Sequence, residues 1–374
     1  MDKIRSVVFL LPGVDKKPVG GVKVIYEYSN RFINDGWKVY LLYPQMLYKD
    51  KSKKLVYILL RRIKNYLVFI YRKLTRIEKK IPSWFQIDNR VYKEYVWKLN
   101  NSKILNNKDL IIIATALPTA FELQKIRPNN MNNFYFVQDF ESWGTATDED
   151  VYNSFQLPLN KITITPWLRD MVRKVGSDAV VVENGLDFDY FKLTIPIKDR
   201  SPFEISMLYH LSEPKRSQDA IEALKLVKER VPQLHVTMFG VPIRPNVPDW
   251  FEYYQTPSKE IHNRIYNKAA IFVAPSRLEG MGLTPAESMI CGCAVACTDN
   301  PGFDVFAKHN ETALISPAMN IKALADNILK LIHEKELRLR IAKTGNEYIG
   351  RFTWEIAYLK FKNTLEQRYY GEQT

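Results

Sequence analysis

The sequence is poor in cysteine and has no long apolar run. Cys291, Cys293 and Cys297 are its only cysteines, and an odd number on one short apolar stretch argues against a disulfide framework. They also lack a fourth ligand and the usual spacing for zinc, so we predict packed, reduced thiols. No apolar run reaches the roughly 18 residues that a membrane-spanning helix needs, and the run Val7–Leu11 is too short for a signal peptide. These absences predict a chain that stays in the cytoplasm.

Apolar residues and positive charge, in contrast, are abundant. Hydrophobic residues make up 46% and aromatic residues 13% of the chain, which is enough to bury large cores and argues against disorder. The 374 residues are more than one core usually serves, so we expect two domains. Of the net charge of +13, residues 51–80 carry +10, from eleven Lys or Arg and one Glu. The remainder is nearly neutral, which argues against a uniformly basic nucleic-acid binder.

The basic segment, residues 51–80, has the pattern of an amphipathic helix. Its apolar residues recur at alternating spacings of four and three, which places them in one stripe: Val56, Leu60, Ile63, Leu67, Ile70, Leu74 and Ile77. The opposite side carries Arg61, Arg62, Lys64, Arg72, Lys73 and Arg76. This pattern is typical of a helix that lies in the interface of an anionic membrane. A core helix with a solvated basic back and a nucleic-acid contact are the alternatives, although motifs that read bases are missing.

Short, β-branched apolar runs alternate with helical stretches along the whole chain. Such runs are typical of parallel strands covered on both faces, and two successive βαβ series predict two doubly wound domains. The second series ends in one long predicted helix over residues 320–345. Leu193–Glu204, with two prolines and mixed charge, is the predicted linker, so we place the first domain at 1–192 and the second at 193–351. Ligands of such sheets bind at the carboxyl ends of the strands.

Two glycine-rich loops open helices directly after predicted strands. Gly20 and Gly21 begin the first helix, where backbone amides and the helix N-terminus favour a phosphate. By itself, this pair is equally typical of an ordinary turn.

The second loop, EGMGLTPAE, runs from Glu279 to Glu287 and leads into a helix that Pro285 is predicted to open. Gly280 and Gly282 let the backbone bend, so that the amides of residues 282–284 can cradle a diphosphate. The two carboxylates would repel phosphates and instead accept hydrogen bonds from sugar and ribose hydroxyls. In isolation, a surface residue and a helix-dipole residue would be the simpler interpretation.

The loop stands in a wider context, EGMGLTPAESMICGCAVACTDNPG, which resembles the E-x7-E motif of retaining glycosyltransferase family 4. Met281 replaces the usual aromatic residue of that motif, and Ala294 stands where proline is common. VGGVKVIYEYSNRFINDGWKVYLL is similar to the family's first glycine loop and helix, VVENGLDFDYF to its hinge, and FTWEIAYLKF to its terminal helix.

The resemblance implies the α/β GT-B fold, with two Rossmann-like, doubly wound domains that face a central cleft. The first domain would bind the acceptor and the second the nucleotide sugar. The terminal helix, residues 352–374, would cross back to the first domain.

The resemblance also assigns roles to single residues. Glu279 would bind the donor sugar and be essential for transfer, and Asp139 would face the sugar and the acceptor, so these two are the catalytic candidates. Glu287 would bind the ribose. Lys215 matches the family's phosphate-binding lysine, whereas His210 stands where an arginine is usual and would hold a diphosphate more weakly. The candidates for donor binding are Gly20, Gly21, His210, Lys215, Gly280, Met281, Gly282, Leu283, Thr284 and Glu287.

Two D-x-D sequences, Asp148–Asp150 and Asp187–Asp189, match the metal-binding pattern of other transferases. The first is predicted to lie in a polar loop and the second in the hinge segment, where solvated charge is the simpler interpretation. The resemblance likewise implies a transfer that keeps the anomeric configuration and needs no metal. We therefore expect no cofactor, with a nucleotide sugar as co-substrate.

The segments YFVQDFESWG, TPWLRDMV and FGVPIRP are similar to a subset related to rhamnan-synthesis rhamnosyltransferases, which implies a dTDP-rhamnose donor. With the basic helix, this predicts extension of a lipid-linked cell-surface glycan at the inner face of the cell membrane, without nucleic acid. Two alternatives stay open. Another GT-B nucleotide-sugar enzyme, such as an epimerase, would need acid–base residues around the sugar. A non-catalytic, membrane-associated interaction protein would retain only the fold.

Overall fold

The computed structural model describes residues 5–13, 17–47, 55–75, 82–107, 109–142 and 146–370, with only the backbone at 55–62 and 368–370. The chain divides into two compact units. Met1–Glu183 and Tyr358–Thr374 form the first unit, and Asn184–Ala357 form the second.

A parallel sheet forms the centre of the first unit. Seven strands of the described residues have the order β3-β2-β1-β4-β5-β6-β7. They are β1 Ser6–Leu10, β2 Lys38–Pro44, β3 Tyr92–Val96, β4 Ile111–Ala114, β5 Asn133–Val137, β6 Asn160–Thr163 and β7 Ala179–Val181. The inner strands are buried throughout because helices cover both faces of a doubly wound sheet. The strand order reverses between β1 and β4, so the carboxyl ends of these strands flank the switch point where such sheets bind ligands.

Helices α1 Gly20–Asn34, α2 Leu55–Leu74, α3 Leu117–Ile126, α4 Asp148–Gln156 and α5 Pro166–Arg173 accompany this sheet. The buried face of α1 packs against the terminal helix, α11 Trp354–Tyr370, through Tyr28 and Phe361, whose rings stack with centroids 4.2 Å apart. The part of α11 from Tyr358 onward therefore belongs to the first unit.

The second unit repeats the architecture with a six-stranded parallel sheet, in the order β10-β9-β8-β11-β12-β13 within the described residues. Its strands are β8 Glu204–Tyr209, β9 His235–Gly240, β10 Phe251–Gln255, β11 Ile271–Ala274, β12 Ala294–Thr298 and β13 Ala313–Ser316. Its helices are α6 Ser217–Arg230, α7 Lys259–Lys268, α8 Leu283–Ile290, α9 Ile321–His333 and α10 Lys335–Ile349. The predicted fold class, two Rossmann-like parallel-sheet domains, is thus confirmed.

The passage between the units lies earlier than the predicted linker. Leu193–Glu204 is part of the second unit, because the Asn267 side chain accepts hydrogen bonds from the amides of Thr194 at 2.7 Å and Ile195 at 3.2 Å. Prolines and mixed charge mark an irregular segment here, but this segment is hydrogen-bonded to the core of one unit.

Two predictions of local structure were wrong. The helix predicted over 320–345 is two helices, α9 and α10, because the chain turns at Glu334. The Arg338 guanidinium donates to the carbonyls of Leu331 and Ile332 at 2.7 and 3.0 Å, which satisfies two carbonyls at the end of α9. Asp148–Asp150 is the first turn of α4 rather than a polar loop. Its capping box joins the Thr147 hydroxyl to the Asp150 amide at 3.2 Å.

Helix α2 contacts the edge strand β3 and the segment after it. The Phe69 ring lies 5.5 Å from Trp97, and the Arg72 guanidinium donates to the Tyr95 hydroxyl at 2.8 Å. Arg72, predicted on the outer basic side, thus points inward. The apolar stripe is exposed by 37% to 79% at Ile63, Leu67, Ile70 and Leu74, which contradicts the core-helix interpretation for these residues. Residues 51–54 and 76–80 of the predicted helix lie outside the described residues.

Cys291, Cys293 and Cys297 are buried and reduced, as predicted. Burial raises the pKa of the Cys293 thiol to about 12, so these residues pack as small apolar side chains. None of the described helices is both long and apolar enough to cross a membrane.

Candidate functional site

Four polar side chains meet at the carboxyl ends of the strands in the second unit. Lys215 comes from the turn after β8, Ser276 and Glu279 follow β11, and Thr284 lies in the first turn of α8. They line one small pocket together with Phe303. The Lys215 ammonium forms an ion pair with Glu279 Oε2, and the Ser276 hydroxyl donates to Glu279 Oε1 at 2.8 Å. The structure therefore brings together Glu279, Lys215 and Thr284, as the sequence predicts, and adds Ser276.

The Asn300 side chain fixes the backbone on which Glu279 stands. Its Oδ1 accepts from the amides of Glu279 at 3.2 Å and Gly302 at 3.0 Å, and its Nδ2 donates to the Ser276 carbonyl at 2.9 Å. A Cβ on Gly302 would lie 2.2 Å from the Glu279 carbonyl oxygen, so only glycine fits. Sequence reasoning missed these residues, although the polar run TDNPG directly after a buried strand is a signal for such a loop.

The loop that follows Glu279 leads into the N-terminus of α8, where the first backbone N–H groups have no partner within the helix. Gly282 has φ +77°, a conformation that side chains disfavour, and a Cβ there would lie 2.3 Å from the Phe303 ring. Both the backbone conformation and the close contact therefore require glycine. Helix α8 has no side-chain cap and no acidic residue in its first turn. Since Pro285 carries no N–H, Leu283 and Thr284 supply the donors here. This end of α8 suits an anion.

His210, at the end of β8, is neutral in this setting. Its Nδ1 accepts from the Ser212 amide at 3.0 Å, so the ring proton is on Nε2. Burial lowers the pKa of His210, the Lys215 charge lowers it further, and Glu279 opposes them. The imidazole can therefore donate one hydrogen bond but adds no positive charge at neutral pH.

Gly280, Met281 and Glu287 are buried. The Glu287 carboxylate lies beside Tyr266, whose pKa is raised by burial and then by this charge. Glu287 follows Thr284 by three positions, so the two share one face of α8. Its contact with a ribose stays a prediction.

The first unit holds the remaining candidates at the same end of its sheet. Gly20 and Gly21 open α1, which has no side-chain cap and no acidic residue in its first turn. A Cβ on Gly21 would lie 3.5 Å from the Gln138 amide, an ordinary contact. Asp139, after β5, accepts the Phe140 amide on Oδ1 at 2.8 Å.

The acidic D-x-D sequences have other contacts. Asp148–Asp150 forms the start of α4, and Asp187 lies 4.0 Å from the Lys259 ammonium. Within the described residues, no group of three or more His, Cys, Asp or Glu is arranged to hold a metal ion. Metal independence stays a prediction.

Known proteins resemble part of the chain in sequence and the whole chain in fold. Residues 195–348 match the family model of glycosyl transferases group 1. Phosphatidyl-myo-inositol mannosyltransferase of Mycobacterium tuberculosis is 24% identical over 218 residues, which cover 53% of this chain and 56% of that protein. CapM, a capsular polysaccharide biosynthesis glycosyltransferase of Staphylococcus aureus, is 24% identical over 193 residues, or 46% of this chain and 51% of CapM.

These matches thus span about half the length of the relatives. Among solved structures, Anabaena HepE in complex with UDP and glucose superposes with a TM-score of 0.70. It is 15% identical and covers 97% of this chain and 100% of HepE, a likeness that shows the GT-B fold alone.

Proposed function

We propose that this chain is a retaining, metal-independent glycosyltransferase that moves a sugar from a nucleoside-diphosphate donor to a glycan. The observation that carries the proposal is the Lys215–Glu279–Ser276 cluster beside the uncapped end of α8. This cluster lies inside the segment that matches group 1 glycosyl transferases. It combines a cation and amide donors, which suit a diphosphate, with a carboxylate that suits sugar hydroxyls.

The catalytic contribution of these groups is electrostatic. As the bond between sugar and diphosphate breaks, negative charge grows on the leaving group. The amides of Leu283 and Thr284 and the Lys215 ammonium lie where they can stabilise that charge. Glu279 stays in place through Ser276 and Asn300, and it accepts hydroxyl donors of the sugar.

The donor is proposed to be dTDP-rhamnose, with UDP sugars as the main competitors. The likeness of three segments to rhamnosyltransferases supports the former, and the UDP bound by HepE supports the latter. A pyrimidine nucleoside diphosphate is common to both.

A lipid-linked acceptor at the inner face of the cell membrane completes the proposal. The exposed stripe of α2 is flanked by exposed Lys64 and Lys73, a combination that binds anionic lipid surfaces. One relative is named for phosphatidyl-myo-inositol, a membrane lipid.

Thermal unfolding with saturating dTDP, UDP, GDP and ADP tests the donor site. A nucleotide that binds only the folded chain raises its stability by about 2.7 kcal/mol at a hundredfold excess over its dissociation constant. We expect dTDP or UDP to do so. No shift with any of the four would favour the non-catalytic alternative.

Transfer is then measured with sugars of the nucleotide that binds. Glu279→Gln should lower kcat by about 100-fold or more with nucleotide binding retained, because the negative charge of a carboxylate needed in the transition state is lost. Glu222→Gln is the matched control, since it breaks an exposed Glu–Lys pair at 3.0 Å on α6. Full activity of Glu279→Gln would contradict the assignment, and conversion of donor without acceptor would favour the epimerase alternative.

Membrane binding is tested by co-sedimentation with vesicles that contain phosphatidylserine. Leu67→Glu with Leu74→Glu should weaken binding about tenfold or more, because two apolar contacts are replaced by charges that the lipid repels. Leu226→Glu, at a leucine 40% exposed in the second unit, is the control. Equal binding by all variants would refute the role of α2.

A further inference from the structure

The loop after β5 carries a second carboxyl group, Glu141, two positions after Asp139. Its Oε2 accepts the backbone amide of Leu117, the first residue of α3, at 2.8 Å. The backbone amides of Thr115 and Ala116 both donate hydrogen bonds to the Thr119 hydroxyl, each at 3.0 Å. Glu141 therefore ties the loop to the N-terminus of α3.

Asp139 lies two positions earlier in the same loop. Its Oδ1 accepts the amide of Phe140, so the carboxylate is oriented by the loop itself. The anchor that Glu141 makes on α3 thus fixes the backbone from which Asp139 projects. Because both follow β5, they lie at the carboxyl end of the sheet, where ligands of doubly wound folds bind.

The surroundings of Glu141 favour its uncharged form. Burial raises its pKa to about 8; the Leu117 amide opposes the shift, and the charge of Asp139 adds to it. The titratable groups that act on Glu141 in the described residues are Asp139 and, from β5, Tyr135. No Lys or Arg of the described residues forms an ion pair with Glu141, so none of them offsets a negative charge there.

We propose that Glu141 is a positioning residue: bound to the N-terminus of α3, it holds the loop from which the Asp139 carboxylate accepts a hydroxyl of the acceptor glycan. This inference rests on the proposed function. A charged Glu141 would place a second carboxylate beside Asp139, and the repulsion would displace the loop. Acceptor affinity should then fall in alkaline solution, while nucleotide binding at the Lys215–Glu279–Ser276 cluster of the second unit should not.

The experiment measures acceptor KM and kcat between about pH 6 and pH 10. In the wild type we expect acceptor KM to rise above about pH 8, by up to about tenfold per pH unit, as one group ionises. Glu141→Gln keeps a neutral carbonyl for Leu117 and should hold KM low throughout. Glu141→Ala removes the anchor and should raise KM at every pH. Glu149→Gln, which removes an exposed carboxylate from the first turn of α4, should follow the wild type.

The possible results separate the two proposals. If the wild type transfers sugar and Glu141→Gln shows the same alkaline rise, or Glu141→Ala leaves KM unchanged, the role of Glu141 is refuted while the function stands. If the wild type binds nucleotide but transfers nothing, the function fails and the acceptor role of Glu141 fails with it.

A readout without turnover checks the coupling directly. The carboxyl ¹³C signal of Asp139 should show a second titration step near pH 8 in the wild type and none in Glu141→Gln. An identical Asp139 titration in both proteins would also overturn the proposal.

Discussion

Replacing Glu141 by Gln should stabilise the first unit, and by more as the pH rises. The pKa of the Glu141 carboxyl is raised from 4.5 to about 8 in the folded chain. Between these values the folded state holds a proton that the unfolded state has lost, so stability falls with rising pH and is constant above about pH 8. At about 1.4 kcal/mol per pKa unit, the free energy of unfolding falls by at most about 5 kcal/mol in total. About 3 kcal/mol of this has already been lost at pH 7. Gln cannot ionise and avoids this loss.

The assay is urea unfolding from about pH 5 to pH 9, followed by tryptophan fluorescence. The gap in unfolding free energy between Glu141→Gln and wild type should be small near pH 5 and grow to its maximum near pH 8. The exposed Glu149→Gln variant should stay with the wild type at each pH. A gap that does not change with pH would refute the reasoning, because it would mean that Glu141 ionises at the same pH in both states.

Three further outcomes are expected. Gly282→Ala should lower the free energy of unfolding by about 2 kcal/mol or more in urea titrations, because alanine is strained at φ +77° and its Cβ meets Phe303. Asn300→Ala should cost about 2–4 kcal/mol and lower kcat, because two amides lose their acceptor; unchanged stability would contradict this role. Nucleotide affinity measured by calorimetry should increase in acidic solution, because the lowered pKa of His210 means that its imidazole gains a positive charge only there. His210→Gln should abolish that increase, and an increase that persists would point to another group.

The central strands and the edge strand β7 were predictable from the sequence, whereas the edge strand β3 was not. The strand β12, AVACT, is buried at every residue and reads as an apolar run. The edge strand β3, YKEYV, is only partly buried and has two charged residues at its centre, so its local composition does not distinguish it from a loop. The same limit explains Arg72, whose inward direction depends on Tyr95 of that edge strand.

The candidate site divides in a similar way. Glu279 and Gly282 belong to a short loop with a local chemical meaning, and Lys215 matches a motif of the family that the sequence resembles. Asn300 acts on Glu279 from 21 positions away, and Glu141 acts on Leu117 across 24 positions. Such contacts arise where neighbouring strands end together, and a single sequence contains no periodicity that reveals them.

The arrangement around Lys215 explains how one cluster can serve both ends of a nucleotide sugar. Within the described residues, Lys215 has one anionic partner, Glu279. Glu279 is also held by the Ser276 hydroxyl, which donates to its carboxylate, and by its backbone N–H, which donates to the Asn300 side chain. A diphosphate carries more charge than a carboxylate and competes for the lysine, but the carboxylate stays in position when the lysine turns away.

Lys215→Ala should therefore weaken nucleotide binding about tenfold, the loss expected of one charge-assisted hydrogen bond. The Asn300 contact should remain, so unfolding of Lys215→Ala should differ from wild type by less than that of Asn300→Ala. If instead Lys215→Ala binds nucleotide as the wild type does, Lys215 only neutralises Glu279, and the diphosphate depends on the amides of α8 alone.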